Sequence, residues 1–482
     1  MKKLACFLLL LWVFFSVGCN GSSSGSGASE PQTLQIGVLL PVTGDSPING
    51  AAQRAAVELA VGDINTYFAG INSLTRVEAI ISDTQGEIDE ESRLLDAMCD
   101  QGIPIVVCSM TSGSLALVKS QIDANGTIIL NEVSTSPYLS IDDNLFRLVP
   151  DDTYSARVMA DLLWENGIEH IIFYYRDDWW GTALQEELTA AFTAKGGVVI
   201  DSIVYSSRAY DIDMDEKVEA LNTAVTQALD TDRIDADKVA VALICFEEGI
   251  DILKKASAYP VLSTVQWYTG DGLGQNDDLL EDDTAAAFAV EVSLSAPLIA
   301  EIDSAAYRGL QTRLQEETGL AHYAFAPVMY DAIWLAALTL AEAGSTADSA
   351  LLKTTLLAEA AEYDAVTGII DFNGSGDRST CAYDFWTVEL TDGAYQWVKG
   401  VEAYFSASAA PAQPSASCSV PVTPADTAIL PEPTGGGVFR NDQPVAERAK
   451  RMIRARGNVM AVSLKAISGR SYARFGLAGY AQ

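Results

Sequence analysis

From Leu34 onward, short apolar runs alternate with longer stretches whose apolar residues recur every three or four positions. Leu34–Leu40 has the pattern of a buried strand. Ala51–Tyr67 has the pattern of a helix, apolar at Ala55, Ala56, Leu59, Ala60 and Ile64. Strands are then predicted at Val77–Ser82, Ile103–Cys108 and Thr127–Leu130, with helices between them at Glu90–Asp100 and Leu115–Asn125. Strands this apolar, separated by helices, predict a parallel sheet covered on both faces.

The pattern then restarts. Helices are predicted at Ser155–Asn166, Thr182–Lys195, Asp215–Leu229 and Ile250–Ala258, and strands at His170–Tyr175, Val198–Tyr205, Val239–Cys245 and Val265–Thr269. Later helices at Ala305–Glu317, Ala326–Ala343 and Leu351–Ala360, and strands at Gly368–Asn373 and Phe385–Leu390, return to complete both units. The expected fold is α/β: two doubly wound Rossmann-like lobes joined by a hinge, with a crevice outside the carboxyl ends of the strands. The N-terminal lobe is expected over 34–150 plus about 294–365, and the C-terminal lobe over 151–293 plus about 366–405.

The ends of the chain read differently. Met1-Lys2-Lys3 is basic, Leu4–Phe15 is nearly all apolar, and Ser16-Val17-Gly18-Cys19 follows, so residues 1–19 read as a signal peptide. Small residues before a cysteine fit lipid attachment at Cys19, although Ser16 stands where a branched apolar residue is usual; the alternative is ordinary cleavage near Gly18. Residues 20–33 are expected to be a flexible Gly/Ser-rich tether. Residues 406–437 read as an Ala/Pro/Ser-rich linker and 438–482 as a basic, disordered tail. Among the seven cysteines, Cys99 and Cys108 read as opposite ends of one strand, and Cys381 with Cys418 is a candidate pair.

The formal net charge of −35 argues against nucleic acid as a partner, because phosphate binding needs a basic surface. Catalytic chemistry has little to draw on. There are two histidines, His170 and His322, and no GxSxG elbow, phosphate-binding glycine loop or HExxH pair. No cofactor and no metal site is expected. The acidic run Asp277–Asp283 lacks calcium-loop spacing and is expected to be a solvated loop.

Binding chemistry, by contrast, collects after the predicted strand ends. Ser109–Ser114 places hydroxyls and N–H groups at a helix start, which suits a carboxylate; helix capping is the plainer account. Asn131–Pro137 is a second hydroxyl-rich loop, which also suits an ordinary turn. Asp177–Gly181, Phe246-Glu247 and Gly270-Asp271-Gly272 follow strands of the second unit. Asp271 is suited to gripping a ligand cation, or else is an exposed turn residue.

Between about Leu34 and Tyr404 the chain resembles the branched-chain amino-acid/amide-binding family of ABC-importer receptors, which have the type I periplasmic binding protein fold. The resemblance is carried by Ile36–Gly44, Gly50-Ala51-Ala52, Glu58–Asn65, Phe146–Asp152, Trp180-Gly181, Tyr330-Asp331-Ala332, Gly368–Phe372 and Gly376-Asp377-Arg378. It implies an exported, lipid-anchored receptor, periplasmic or at the cell surface, that delivers a small ligand to an importer permease. It implies that Met110 and Ser112 meet a ligand carboxylate, that Val133 and Thr135 meet its amino and carboxylate groups, that Asp271 accepts its ammonium, and that Trp180 forms a wall. Phe246 stands where the family commonly has Tyr, and Cys108 where Gly is common. Asn49 and Gly50 fall in the first loop, near a ligand side chain. The expected ligand is an amino acid. An amide, urea or aromatic acid, or a lipoprotein module that holds no solute, are the alternatives.

Overall fold

A computed structural model describes residues 32–44, 50–319 and 323–405. The leader with Cys19, the tether, Asn49, His322, the linker, Cys418 and the basic tail lie outside the described residues.

The first lobe is a five-stranded parallel sheet of β1 (Thr33–Leu40), β2 (Arg76–Asp83), β3 (Ile105–Cys108), β4 (Ile128–Asn131) and β5 (Leu145–Arg147), in the order β2-β1-β3-β4-β5. Every residue of β3 and β4 is buried, as expected of strands covered on both faces. One face packs α1 (Gly50–Gly70); the other packs α2 (Ile88–Asp100) and α3 (Ser112–Asn125).

The second lobe receives the chain through α4 (Asp152–Glu165). Its seven-stranded sheet contains β6 (His170–Arg176), β7 (Val198–Tyr205), β8 (Val239–Ile244), β9 (Gln266–Thr269) and β10 (Ser295–Ile299), all parallel. It ends in an antiparallel pair, β11 (Cys381–Thr391) and β12 (Ala394–Phe405), in the order β12-β11-β10-β9-β8-β6-β7. Its helices are α5 (Trp179–Ala194), α6 (Tyr210–Thr226), α7 (Glu248–Ala256), α8 (Asp277–Glu281) and α9 (Asp283–Glu291). The chain then returns to the first lobe as α10 (Ala305–Thr318), α11 (Phe325–Ala343) and α12 (Ser349–Glu362). By length and composition α11 is apolar enough to cross a membrane, but it is the central core helix of this lobe, packed on α1 and β1.

Two details differ from the sequence pattern. Ser295–Ile299 belongs to the second sheet, so the chain crosses back after residue 299 rather than at about 294. The expected strand Gly368–Asn373 contributes only one isolated bridge, Phe372 to Arg378. The chain crosses between the lobes three times, after β5, after β10 and between α12 and β11; in the third crossover the backbone turns back on itself, Asn373 N–H donating to Asp377 O and Ser379 N–H to Asp371 O. Val366 and Thr367, just before Gly368, donate their N–H groups to the buried carboxylate of Asp331. Among the described cysteines, Cys99, Cys108, Cys245 and Cys381 are all free thiols.

The first and third crossovers are stitched together by one fully buried guanidinium. Arg147, at the end of β5, donates Nε to Asp377 Oδ1 at 2.6 Å, Nη1 to Ser136 O at 2.7 Å and Nη2 to Ser140 Oγ at 2.8 Å. Both members of the ion pair are essentially inaccessible. Arg378 makes the reciprocal contact, donating to Leu148 O and Thr367 O. The second crossover is tied to β11, where Asp384 Oδ2 accepts from Glu301 N–H at 3.0 Å. Replacing Arg147 by Met leaves the buried Asp377 carboxylate without its counter-charge, and denaturant unfolding should show a loss of about 3–5 kcal/mol. Arg147→Lys should recover little of it, because a single ammonium cannot span acceptors on three chain segments. Wild-type stability in Arg147→Met would contradict this account of the crossovers.

Candidate functional site

A cavity of about 300 Å³ lies between the lobes. Its walls are loops that leave the carboxyl ends of β1, β3 and β4 on one side and of β6, β8 and β9 on the other, together with Tyr323 and Phe325 at the start of α11. This is where a doubly wound sheet offers loop residues to a ligand.

In the first lobe the two hydroxyl-rich loops are held by Asn131. Its Nδ2 donates to Cys108 O at 3.0 Å and to Met110 O at 2.9 Å; its Oδ1 accepts from Val133 N–H at 3.1 Å and Ser134 N–H at 2.6 Å. The amide thus uses both donors and both lone pairs on the backbone. Ser112 is the first residue of α3 and lines the cavity. Its hydroxyl shares a 2.9 Å hydrogen bond with Ser134 Oγ and accepts from Ser136 N–H. Thr111 is the N-cap, accepting from Ser114 N–H. The first-turn N–H groups of α3 have no acceptor within their own helix and sit at its positive end, on the cavity side.

In the second lobe Trp180 and Phe246 stack, with ring centroids 4.7 Å apart and planes at 8°. Arg176 lies 3.9 Å from the Phe246 ring centroid, held there by Asp178 and Glu248. The loop bearing Asp271 packs tightly under this stack. A Cβ at Gly270 would stand 2.9 Å from Trp180 Cζ2, and one at Gly272 only 2.4 Å from Phe246 Cδ1. Two missing side chains therefore let the backbone on either side of Asp271 lie against the rings.

The site is electrostatically uncomfortable. Burial pushes the Asp271 carboxyl up to about 7. Asp152, the first residue of α4, is also pushed well up, by burial and then by repulsion from Asp271. Asp152 Oδ2 is buried with no hydrogen-bond partner, while Oδ1 accepts from Ser155 Oγ. Behind the first-lobe loops, burial raises Glu132 to about 8; it accepts from Gln53 Nε2 and from the Ser109 hydroxyl. Glu247 is raised to about 7, chiefly by burial.

At the rim the lobes touch. Ser136 Oγ donates to Trp179 O at 2.8 Å and Tyr138 OH donates to Glu186 Oε2 at 2.7 Å. The Tyr138 and Trp179 rings meet edge to face at 5.8 Å.

Of the residues singled out from sequence, Ser112, Val133, Trp180, Phe246 and Asp271 line the cavity, with Gly50. Met110 and Thr135 do not. The Met110 side chain packs into the core beside Leu115 and Leu139, and only its carbonyl joins the site's framework, through Asn131. Thr135 is buried off the cavity wall, its carbonyl accepting from Asp152 N–H at 2.8 Å. The acidic run is solvated at Asp278, Glu281 and Asp283, as expected, but it is not a loop. It forms α8 and α9, capped by Asn276 and Asp282, and brings Asp277 and Asp278 to the cavity wall. Thr111, Gln275, Tyr323 and Phe325 also line it. Thr111 falls inside a loop already flagged; nothing local to the others distinguishes them from core or turn residues. Among the described residues, no cluster of His, Cys, Asp and Glu is arranged to hold a metal ion.

Two α/β lobes facing each other across a ligand-sized cleft, joined by three crossovers, define a cleft-binding receptor. The periplasmic binding protein family matches residues 33–396, and the chain belongs to that family. Its members are solute receptors that bind small ligands for ABC transport, not enzymes, and they work outside the cytoplasm. A curated relative, an uncharacterised protein of Methanocaldococcus jannaschii, is 24% identical over 406 residues, covering 79% of this chain and 93% of its own. Among solved structures, an ABC transporter substrate-binding protein from Desulfitobacterium hafniense, in complex with Leu, aligns with a TM-score of 0.61 at 21% identity, covering 76% of this chain and all of that one. A leucine-binding protein from Thermotoga maritima gives 0.64 at 17%, covering 77% and 99%. A solute-binding protein from Rhodopseudomonas palustris BisB5, in complex with 3,4-dihydroxybenzoic acid, gives 0.58 at 16%, covering 77% and 97%. These likenesses establish the type I periplasmic-binding fold.

Gly272→Ala should destabilise the protein by about 1–3 kcal/mol through overpacking against Phe246, seen as a lowered melting temperature in the ligand-free protein. An unchanged melting temperature would mean that the loop yields freely and that the close packing is not what seats Asp271.

Proposed function

We propose that the cleft binds a single α-amino acid and presents it to an ABC importer. The observation that carries this is the polarity of the cavity. Helix α3 opens at Ser112 with its first-turn N–H groups on one wall, and the Asp271 carboxylate, backed by Asp152, stands on another. One side suits a carboxylate and the other an ammonium. Ser112 and the neighbouring N–H groups receive the ligand carboxylate, with Val133 beside it. Asp271 receives the ammonium, and the edges of the Trp180 and Phe246 rings enclose the remainder. Met110 and Thr135 act from behind, as parts of the framework.

An aromatic acid, such as the one named with the Rhodopseudomonas protein, carries no cation and would leave both buried carboxylates unmatched. The amino acids named with the Desulfitobacterium protein and with an isoleucine-bound Streptococcus pneumoniae protein carry one. Export through the leader, lipid at Cys19 and a flexible tether would hold the receptor beside its permease, consistent with the family's extracytoplasmic setting.

A thermal-shift and calorimetric screen of amino acids, amides, urea and aromatic acids tests the reading. An α-amino acid at one hundred times its Kd should add about 2.7 kcal/mol of stability. Asp271→Asn should weaken that binding by at least about 2 kcal/mol, roughly thirtyfold, as expected when a buried charge loses its partner. Binding only of uncharged or purely anionic compounds would overturn the role given to Asp271.

The pH dependence has a definite sign. Asp271 must be ionised to hold an ammonium, and with its carboxyl near 7 a proton competes below that pH. Affinity should therefore be flat above about pH 7 and weaken by up to about tenfold per unit below it, a trend absent from Asp271→Asn. A pH-independent affinity between 5 and 8 would contradict this.

A further inference from the structure

Behind the hydroxyl-rich wall of the first lobe lies a carboxyl that does not line the cavity. Glu132, the residue after β4, is fully buried. Its Oε1 accepts from Gln53 Nε2 at 2.9 Å and from the Ser109 hydroxyl. Gln53, also fully buried, belongs to α1. Glu132 Oε2 and Gln53 Oε1 are both buried with no hydrogen-bond partner. Two side chains already joined by one bond therefore each keep an unanswered oxygen. An ionised carboxylate and an amide oxygen are both acceptors, so neither can answer the other.

One proton resolves both. Protonated at Oε2, Glu132 gains a donor for Gln53 Oε1, while Gln53 Nε2 keeps its bond to Oε1. The two side chains then form a closed acid–amide pair, with Ser109 as a third member. An ionised Glu132 would instead hold a full charge in the core without a counter-ion. Among the described residues, the titratable groups on its side are the Cys108 thiol of β3 and, beyond it, Glu91 of α2; neither is a cation. Burial raises the Glu132 carboxyl to about 8, in keeping with this geometry.

The pair also stands where three segments of the wall meet. Gly50 and Ala51 precede Gln53 in α1, Ser112 follows Ser109, and Val133 follows Glu132; all four line the cavity. We propose that Glu132 is held in the fold as a neutral carboxylic acid, and that its bonds to Gln53 and Ser109 position these three segments. The first-lobe wall is thereby tied together without a negative charge behind its hydroxyls. This holds whichever solute the cleft takes.

Denaturant unfolding of the ligand-free full chain, wild type beside Glu132→Gln, tests the proton. The folded state keeps it up to about pH 8, whereas an unfolded glutamate loses it at about 4.5. Between those values unfolding releases a proton, so rising pH favours unfolding of the wild type alone. The ratio of the two folding constants, wild type to variant, should fall by up to about tenfold per pH unit in that window and be level outside it. A ratio that stays level from about pH 5 to about pH 8 overturns the neutral acid. Failure of Glu132→Gln to fold overturns it as well, because glutamine offers the same acceptor and the same donor.

Hydrogen exchange at one fixed pH tests the positioning. Glu132→Gln should keep wild-type protection over residues 109–115 and 131–136. Glu132→Ala should exchange at least about tenfold faster there, with β8 and β9 of the second lobe unchanged. Wild-type protection in Glu132→Ala overturns the positioning role and leaves the neutral acid standing.

Discussion

The buried pair of Arg147 and Asp377 is the constraint on which the cleft depends. A guanidinium can bond in several directions in one plane, and here the directions lead to different parts of the chain: the third crossover through Asp377, the second binding loop through Ser136 O, and the turn after it through Ser140. Taking both charges out of water is costly, and the geometry offsets that cost only while every contact is kept. The pair is thus a poor source of net stability but a strong selector of one arrangement. The loop 131–136 has its shape where the hinge has its shape, and a change in one is felt in the other.

Around that point the two lobes prepare opposite chemistry. In the first lobe, Asn131 binds two loops into one rigid surface and leaves N–H groups and hydroxyls at a helix start. In the second, two glycines let the loop that carries Asp271 pack against a stacked Trp180–Phe246 pair. The acids of one half raise one another's proton affinity, and the other half turns the positive end of α3 toward the cavity. A ligand bearing both charges relieves both halves at once, which gives the closed arrangement a differential affinity for the filled state. Rim contacts from Ser136 and Tyr138 to α5 add to closure without touching the cavity floor.

Much of this was legible in the residues. Apolar runs such as Ile105–Cys108 and Ile128–Asn131 read as strands because both faces are covered, so nothing polar interrupts them. Asp271 stood out because it follows a strand end between two glycines, where an acidic side chain suits a ligand cation. Its neighbours in sequence were harder to place. Met110 and Ser112 sit two residues apart on one loop, yet one faces the core and the other the cavity, a choice made by where α3 begins. The run at Asp277 is solvated over much of its length, as its charge suggests, but it is helical, and two of its residues reach the cavity wall.

By itself, the sequence determined the class of fold, the order of strands and helices, the loops at which binding groups collect, and the family, because these rest on local periodicity and on short motifs. The tertiary structure decided which members of those loops line the cavity, and that Arg147, Asn131 and Asp331 serve as framework. Those outcomes depend on segments far apart in the chain meeting in space: Arg147 and Asp377 are separated by 230 residues. No local pattern encodes such a meeting, since it follows from how the completed sheets and their covering helices pack.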